Sequence, residues 1–238
     1  MDRRCIVVCD SGIGGLGLYN MIAKKLKGQT VLYYADFENL PYGNKSKKEL
    51  ENIAEKNFKK FLPFCPKLVV FACNTLSTNT FNMEFGGSVK TIRVLPKVNK
   101  GEKGLLLCTR ATANSNYVKT LKKENPLLDV LALDGFAEEI ERHVEFGKEL
   151  DLEKRFEGVD RNYDFVSLGC THYSLVAEKL KKIFPLSKFL SGESDAFEKI
   201  VFFVTTFDTL DHQSETCFVG SGEDKVKSLY YKGFFGIG

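Results

Sequence analysis

Short apolar runs alternate with longer amphipathic stretches along most of the chain. The runs have the length of strands, and most lack strict apolar–polar alternation, which is typical of strands buried on both faces of a parallel sheet. They are Cys5–Cys9, Thr30–Ala35, Leu68–Cys73, Ile92–Leu95, Leu105–Cys108, Leu127–Leu133, Phe165–Leu168 and, more weakly, Thr216–Val219.

Apolar residues recur at helical spacing between these runs. The pattern predicts helices around Leu16–Leu26, Leu50–Phe61, Tyr117–Leu121 and Leu175–Ile183. Strands that alternate with helices indicate an α/β architecture with right-handed crossovers.

The pattern is interrupted by Pro, Asn, Lys and Gly over residues 96–104 and again at Ser191-Gly192. These breaks divide the chain into two α/β domains, which we expect to be pseudo-symmetric, each with a mainly parallel sheet flanked by helices, with an active site in the cleft between them. The first domain would comprise residues 1–95 plus 196–238 and carry Cys73, because a chain end often docks on its start. The second would comprise residues 96–195 and carry Cys170.

Composition narrows the class of protein. The chain has 238 residues, 43% of them hydrophobic, and a net charge of +3. This charge is too close to balance to indicate nucleic acid or a membrane surface as a partner, and no apolar run approaches the ~20 residues of a membrane span. The apolar stretch Cys5–Cys9 is too short for a secretion signal. Seven cysteines without tight pairing indicate a reducing, cytoplasmic setting.

Two segments repeat one arrangement of a cysteine at the end of a strand. They are Phe71-Ala72-Cys73-Asn74-Thr75 and Leu168-Gly169-Cys170-Thr171-His172. Either cysteine could be a buried packing residue, but the polar residues after both would then need partners. The spacing makes a poor zinc site, so we expect no metal. Two thiols that face one pocket suit the removal of a proton from carbon on one side and its return on the other.

A glycine-rich turn, Asp10-Ser11-Gly12-Ile13-Gly14-Gly15-Leu16-Gly17, follows the first predicted strand. Its spacing satisfies the dinucleotide fingerprint, and Asp36 ends the next strand, so a nicotinamide-binding function stays open. A carboxylate at Asp10 would crowd a pyrophosphate but suits an amino group. A tight turn into a helix would explain the glycines, although not Asp10 and Ser11.

Together with three further segments, these motifs resemble the glutamate racemase family, within the cofactor-independent aspartate/glutamate racemases. The further segments are Pro41-Tyr42-Gly43-Asn44-Lys45-Ser46, Thr109-Arg110-Ala111-Thr112 and Val144-Glu145-Phe146-Gly147, and the second cysteine motif matches as Gly169-Cys170-Thr171-His172-Tyr173. The matches run in family order from Asp10 to about Gly192. Leu76 and Ser174 depart from the family, which usually has a small residue and a proline there.

The resemblance implies interconversion of L- and D-glutamate without a cofactor, with the D-isomer used in the synthesis of cell-wall peptidoglycan. It implies that Cys73 deprotonates D-glutamate and Cys170 deprotonates L-glutamate, assisted by Asp10 near Cys73 and His172 near Cys170. Glu145 occupies the loosely matched position of an accessory acid. The implied substrate contacts are Asp10, Ser11, Pro41, Tyr42, Gly43, Asn74, Thr75, Thr109, Thr112, Thr171 and His172. Family members often form dimers, which leaves a homodimer open.

Three alternatives stay beside the glutamate racemase hypothesis. They are a racemase of aspartate or another amino acid with the same two thiols, a nicotinamide-dependent oxidoreductase, and a non-catalytic amino-acid sensor on the same fold. In a two-base enzyme each reacting contact spans about 3–3.5 Å, so the two sulfurs should flank one pocket roughly 7 Å apart.

Overall fold

Two parallel sheets, each flanked by helices, form the framework of the chain in a computed structural model that describes residues 5–87, 89–207 and 215–220. The described strands are β1 (Ile6–Asp10), β2 (Thr30–Ala35), β3 (Leu68–Phe71), β4 (Lys90–Arg93), β5 (Gly104–Cys108), β6 (Leu128–Ala132), β7 (Phe165–Gly169), β8 (Lys188–Ser191) and β9 (Glu215–Gly220). The first sheet has the order β4-β3-β1-β2-β9 and the second has the order β6-β5-β7-β8.

The two sheets share one topology. In the first sheet β1 lies between β2 and β3, and β4 lies beyond β3; in the second sheet β5 lies between β6 and β7, and β8 lies beyond β7. All these pairings are parallel. The predicted α/β fold of two pseudo-symmetric sheets is therefore confirmed, and β9 adds a further strand beside β2.

The helices connect the strands and cover both faces of each sheet. The described α-helices are α1 (Leu16–Lys25), α2 (Lys47–Phe61), α3 (Asn74–Asn79), α4 (Arg110–Asn114), α5 (Asn116–Glu124), α6 (Phe136–Phe146), α7 (Leu152–Arg155), α8 (Thr171–Ser174), α9 (Ala177–Ile183) and α10 (Gly192–Phe207). Local sequence fixes several starts. Ser46 and Glu49 form a reciprocal capping box at α2, and the Thr109 hydroxyl caps α4.

The core lies between the sheets and their helices. The central strands β1, β3, β5 and β7 are buried along their whole length, which explains why their sequences do not alternate. Helix α10 follows the second sheet but contacts α1 and β4 of the first, so the chain crosses back there. We therefore propose that α10 and β9 belong to the first domain.

Some element boundaries differ from the sequence prediction. Strand β8 was not predicted, because its four residues are only partly buried or exposed. The predicted strand at Ile92–Leu95 lies earlier, at Lys90–Arg93. The predicted domain boundary at residue 195 falls inside α10, which begins at Gly192. Residues 1–4, 208–214 and 221–238 of the predicted first domain lie outside the described residues.

Within the part of the chain that the structure describes, no helix combines the length and the apolar character needed to cross a membrane.

Candidate active site

Cys73 and Cys170 occupy equivalent places at the carboxyl ends of β3 and β7. Each is the N-cap residue of a short helix, α3 and α8 respectively. Each is 5% exposed, and both line one cavity between the two sheets. The carboxyl ends of parallel strands are where α/β proteins bind ligands. The structure therefore brings together the two thiols that the sequence singled out.

The cavity is small and draws on both halves of the chain. Its water-accessible volume is about 20 Å³, enough for one or two water molecules. The predicted site residues that line it are Ser11, Pro41, Tyr42, Gly43, Cys73, Thr75, Thr109, Cys170 and His172.

The Cys73 side of the cavity is dominated by burial and by Asp10. Burial raises the pKa of the Cys73 thiol to about 12, the Asp10 carboxylate adds to this, and the Leu76 amide and Ser11 hydroxyl oppose it. Asp10 is itself fully buried, and burial raises its pKa. Its oxygens accept hydrogen bonds from the Gly12 amide at 3.1 Å and the Thr171 hydroxyl at 3.1 Å. Cys73 therefore rests as a protonated thiol.

On the Cys170 side of the cavity, a histidine lies between the sulfur and a carboxylate. His172 Nδ1 lies 3.9 Å from the Cys170 sulfur, and its Nε2 lies 2.9 Å from Glu141 Oε1. Burial alone lowers the pKa of His172, but hydrogen bonds to Cys170 and Glu141 outweigh it and raise that pKa well above its ordinary value. The imidazole can therefore share a proton with the sulfur while Glu141 holds its far side.

The predicted accessory acid, Glu145, and the buried carboxylate beside His172 are different residues. Glu145 is exposed at the end of α6 and does not line the cavity. Glu141 lies one helical turn earlier on α6, is 6% exposed, and contacts His172 and the Ile13 amide. The sequence prediction chose Glu145 because Val144-Glu145-Phe146-Gly147 was a loose motif match. The polar position inside the apolar pattern of α6 was the signal that it missed.

Five of the predicted residues lie outside the cavity lining. Asp10 and Thr171 bond each other beneath it, Asn74 donates to the Val94 carbonyl at 3.2 Å, and Glu145 is exposed. Thr112 also lies outside the lining, where its hydroxyl bonds Thr75.

Three threonine hydroxyls connect the two halves at the cavity. Thr75 Oγ1 lies 2.9 Å from Thr109 Oγ1, Thr109 donates to Thr112 at 2.9 Å, and Thr112 donates to Thr75 at 3.2 Å. We call this group the threonine ring. Beside it, the Ala111 amide donates to the Gly43 carbonyl at 2.9 Å.

A buried carboxylate, Asp36, supports the loop that carries Tyr42, whereas the glycine-rich fingerprint suggested it as the acid of a dinucleotide site. Asp36 is fully buried and accepts hydrogen bonds from the Tyr42 hydroxyl at 2.5 Å, and from the Asn57 and Asn39 amides at 3.0 Å. Its oxygens are thus occupied by protein donors, which argues against the role of a ribose-binding acid.

The glycine-rich turn is shaped by the second half of the chain. A Cβ at Gly12 would lie 2.1 Å from Glu141 Oε1, and a Cβ at Gly14 would lie 2.4 Å from Thr171 Oγ1 and 2.8 Å from the His172 amide. These contacts explain the glycines through close packing of protein on protein. They leave no space for a pyrophosphate at this turn, so the nicotinamide hypothesis loses its main support.

Among the residues that the structure describes, His, Cys, Asp and Glu form no group of three or more that could hold a metal ion.

Known structures share this two-sheet architecture. A glutamate racemase isoform from Bacillus anthracis superposes with a TM-score of 0.79 at 23% identity, covering 98% of this chain and 93% of its own. The Francisella tularensis glutamate racemase, solved in complex with D-glutamate, gives a TM-score of 0.78 at 24% identity and covers 99% and 95%. Fold and cleft therefore define a two-domain α/β protein with the same architecture as these structures.

Sequence relatives define the family within that class. The glutamate racemase of Campylobacter concisus is 31% identical over 212 residues, which cover 82% of this chain and 81% of the relative. That of Carboxydothermus hydrogenoformans is 33% identical over 194 residues, which cover 76% and 72%. No protein-family model matches the chain. The chain belongs to the glutamate racemase family and is an isomerase.

Proposed function

We propose that this chain interconverts L- and D-glutamate by moving the α-proton between two thiols on opposite sides of the substrate. The observation that carries the proposal is that Cys73 and Cys170, from equivalent strands of two similar sheets, line one cavity. Sequence relatives named as glutamate racemases support glutamate as the substrate. The D-glutamate formed would supply cell-wall peptidoglycan.

The proposed reaction conserves protons. With L-glutamate bound, the Cys170 thiolate takes the α-proton, and the Cys73 thiol donates its proton to the opposite face of the carbanion. D-Glutamate leaves with Cys170 protonated and Cys73 as thiolate, and the reverse reaction runs the same steps backwards. The raised pKa of Cys73 suits its role as proton donor in the first direction.

The surrounding groups would stabilise charge as it develops at the α-carbon. His172, held by Glu141, would exchange a proton with Cys170, while the Asp10 carboxylate would act on the Cys73 thiol from beneath the cavity. The hydroxyls of Ser11, Thr75 and Thr109 line the cavity and would donate to the substrate carboxylates. Since the cavity has a water-accessible volume of only about 20 Å³, we expect it to widen before glutamate reaches the sulfurs.

Exchange of the α-hydrogen in heavy water tests this proposal. We expect the wild-type protein to replace the α-hydrogen of L-glutamate with deuterium and to form D-glutamate, and to act much less on L-aspartate. Cys73→Ser and Cys170→Ser should each lower racemisation by about 10²–10⁴-fold, the usual contribution of a general acid or base.

Cys65→Ser is the matched control, because Cys65 is an exposed thiol outside the cavity lining. It should retain wild-type activity. Full activity in either active-site variant would remove that thiol from the mechanism. Binding of glutamate without deuterium uptake would indicate an amino-acid sensor, and a preference for aspartate would indicate the other racemase activity.

We also propose a cytoplasmic setting and a homodimer. Support for the first comes from the cysteines, all seven of which are free thiols, as expected in a reducing compartment. The homodimer rests on the family resemblance alone.

A further inference from the structure

The mouth of the cavity carries more negative than positive charge. Among the described residues that line the cavity, His172 is buried and Arg110 is the single lysine or arginine, whereas Asp134 and Glu138 are both carboxylates. Arg110 is the first residue of α4, and the two carboxylates come from the turn after β6 and the first turn of α6. An anionic substrate therefore meets two like charges and one opposite charge on its way in.

Arg110 is held by an ion pair that is easily exchanged. Its guanidinium bonds the Asp134 carboxylate, and the two side chains are 63% and 46% exposed. Ion pairs with this exposure contribute little to stability, because water screens them and both side chains lose freedom on pairing. A second carboxylate could therefore replace Asp134 on the guanidinium at little cost.

Arg110, at the mouth of the cavity, is the sequence neighbour of a residue in the threonine ring. It follows Thr109 directly, and the Thr109 hydroxyl belongs to the threonine ring inside the cleft. A guanidinium can hold a carboxylate through two parallel hydrogen bonds, which gives orientation as well as attraction.

We propose that Arg110 is the substrate-capture residue of this site: it exchanges Asp134 for a carboxylate of the incoming dicarboxylate and passes that substrate on to the threonine ring. Asp134 acts as an internal competitor that occupies the guanidinium between turnovers. The inference deepens the proposed racemase function and rests on it for the identity of the substrate.

Two measurements test this inference. The first is steady-state racemisation of glutamate over a range of salt concentrations, and the second is the Kd for glutamate from calorimetry. Arg110→Gln should raise KM and Kd about 2- to 5-fold, the upper part of the range expected for one partly exposed charge pair. It should leave kcat within about 2-fold and weaken the salt dependence of kcat/KM, because steering by charge is screened by salt. Asp134→Asn should lower KM, since it frees the guanidinium.

Arg161→Gln is the matched control. Arg161 forms an exposed ion pair with Glu153 and lies outside the cavity lining. Its KM, Kd and salt dependence should equal those of the wild type. An Arg110→Gln protein that also matches the wild type, or that loses kcat with KM unchanged, overturns the capture role.

The two measurements separate this inference from the proposed function. A wild-type protein that binds glutamate but does not racemise it contradicts the racemase proposal, while the Kd of Arg110→Gln still decides the capture role. A wild-type protein that binds no dicarboxylate amino acid contradicts both.

Discussion

The two thiols of the cleft have unlike surroundings in spite of their equivalent positions. Cys73 has Asp10 and the Ser11 hydroxyl as neighbours, whereas Cys170 has His172 backed by Glu141. The symmetry of the sheets therefore places two thiols at one cleft, and single residues on each side give them different surroundings. Glu141 is central to this difference because it fixes the imidazole from the side opposite the sulfur.

Replacing Glu141 by Gln should lower kcat/KM about 10- to 100-fold, which corresponds to the loss of one hydrogen bond to a charged partner. Glu141 raises the pKa of His172, so its removal should also shift the corresponding limb of the pH–rate profile to lower pH. Racemisation rates between pH 5 and 10 would measure both effects.

Glu145→Gln is the control for this variant, because Glu145 lies on the same helix but is exposed. It should keep the wild-type rate and pH profile. Equal losses in the two variants would contradict the assignment of Glu141 as the residue that positions His172.

Sequence motifs identify residues whose chemistry is unusual at their position in a strand or helix. They say much less about the residues that hold those side chains in place. Cys73, Cys170 and His172 could be found because polar residues followed apolar strands. The roles of Glu141 and Asp36 were harder to predict, since a carboxylate in a helix or after a strand is usually a surface group. Their partners His172 and Tyr42 are distant in sequence and meet them only in the folded chain.

At the scale of elements, the turn between β1 and α1 shows how the two halves fit together. The contacts around Gly14 come from Thr171 and His172 of the second half, while Gly17 lies inside α1 with only Glu193 Oε2 near its missing Cβ, at 3.9 Å. The same apparent fingerprint thus contains two glycines that packing requires, Gly12 and Gly14, and a third, Gly17, that packing does not require.

Gly14→Ala should destabilise the protein by about 1–3 kcal/mol, the usual cost of overpacking, and should reduce activity because the clash reaches the His172 backbone. Gly17→Ala should instead stabilise it by about 0.5–1 kcal/mol, since alanine favours a helix interior. Urea unfolding of the two variants and the wild type would measure the differences. Two equally destabilised variants would contradict this account of the turn.

Element type was easier to predict than element boundaries. Buried strands such as β1 and β5 stand out as continuous apolar runs, whereas β8 is a short edge strand with little buried surface and gives no comparable signal. The similar order of the two sheets, which brings the thiols to one cleft, depends on crossover connections that no local pattern specifies.

At the scale of the whole molecule, Glu193 lies where the chain crosses back from the second half to the first half, and it interacts with both. It lies at the start of α10 and interacts with Ser174 of the second half. Burial raises its pKa to about 7, the Asp10 carboxylate adds to this, and Ser174 opposes it. Ser174 stands where the family usually has proline, so this interaction belongs to a departure from the family pattern.

This carboxyl makes stability depend on pH. The native protein holds its proton up to a pH of about 7, whereas the unfolded chain releases it near the ordinary value of 4.5, so stability falls as pH rises between these values. Glu193→Gln should therefore match the wild type near pH 4.5 and be about 1–2 kcal/mol more stable at pH 8, after allowance for partial exposure.

Urea unfolding at several pH values would measure this difference. Glu198→Gln provides the control, because Glu198 is exposed on the same helix. The same pH dependence in both variants would contradict the role given to Glu193.

The threonine ring has a consequence for the resting enzyme. Its hydroxyls satisfy one another across the domain boundary, so the closed arrangement leaves none of them short of a partner. A carboxylate offers the same hydroxyls stronger, charge-assisted bonds. We therefore expect the threonine ring to open for a ligand that carries a carboxylate. A ligand without a carboxylate offers these hydroxyls no stronger bond, so the ring should stay closed against it.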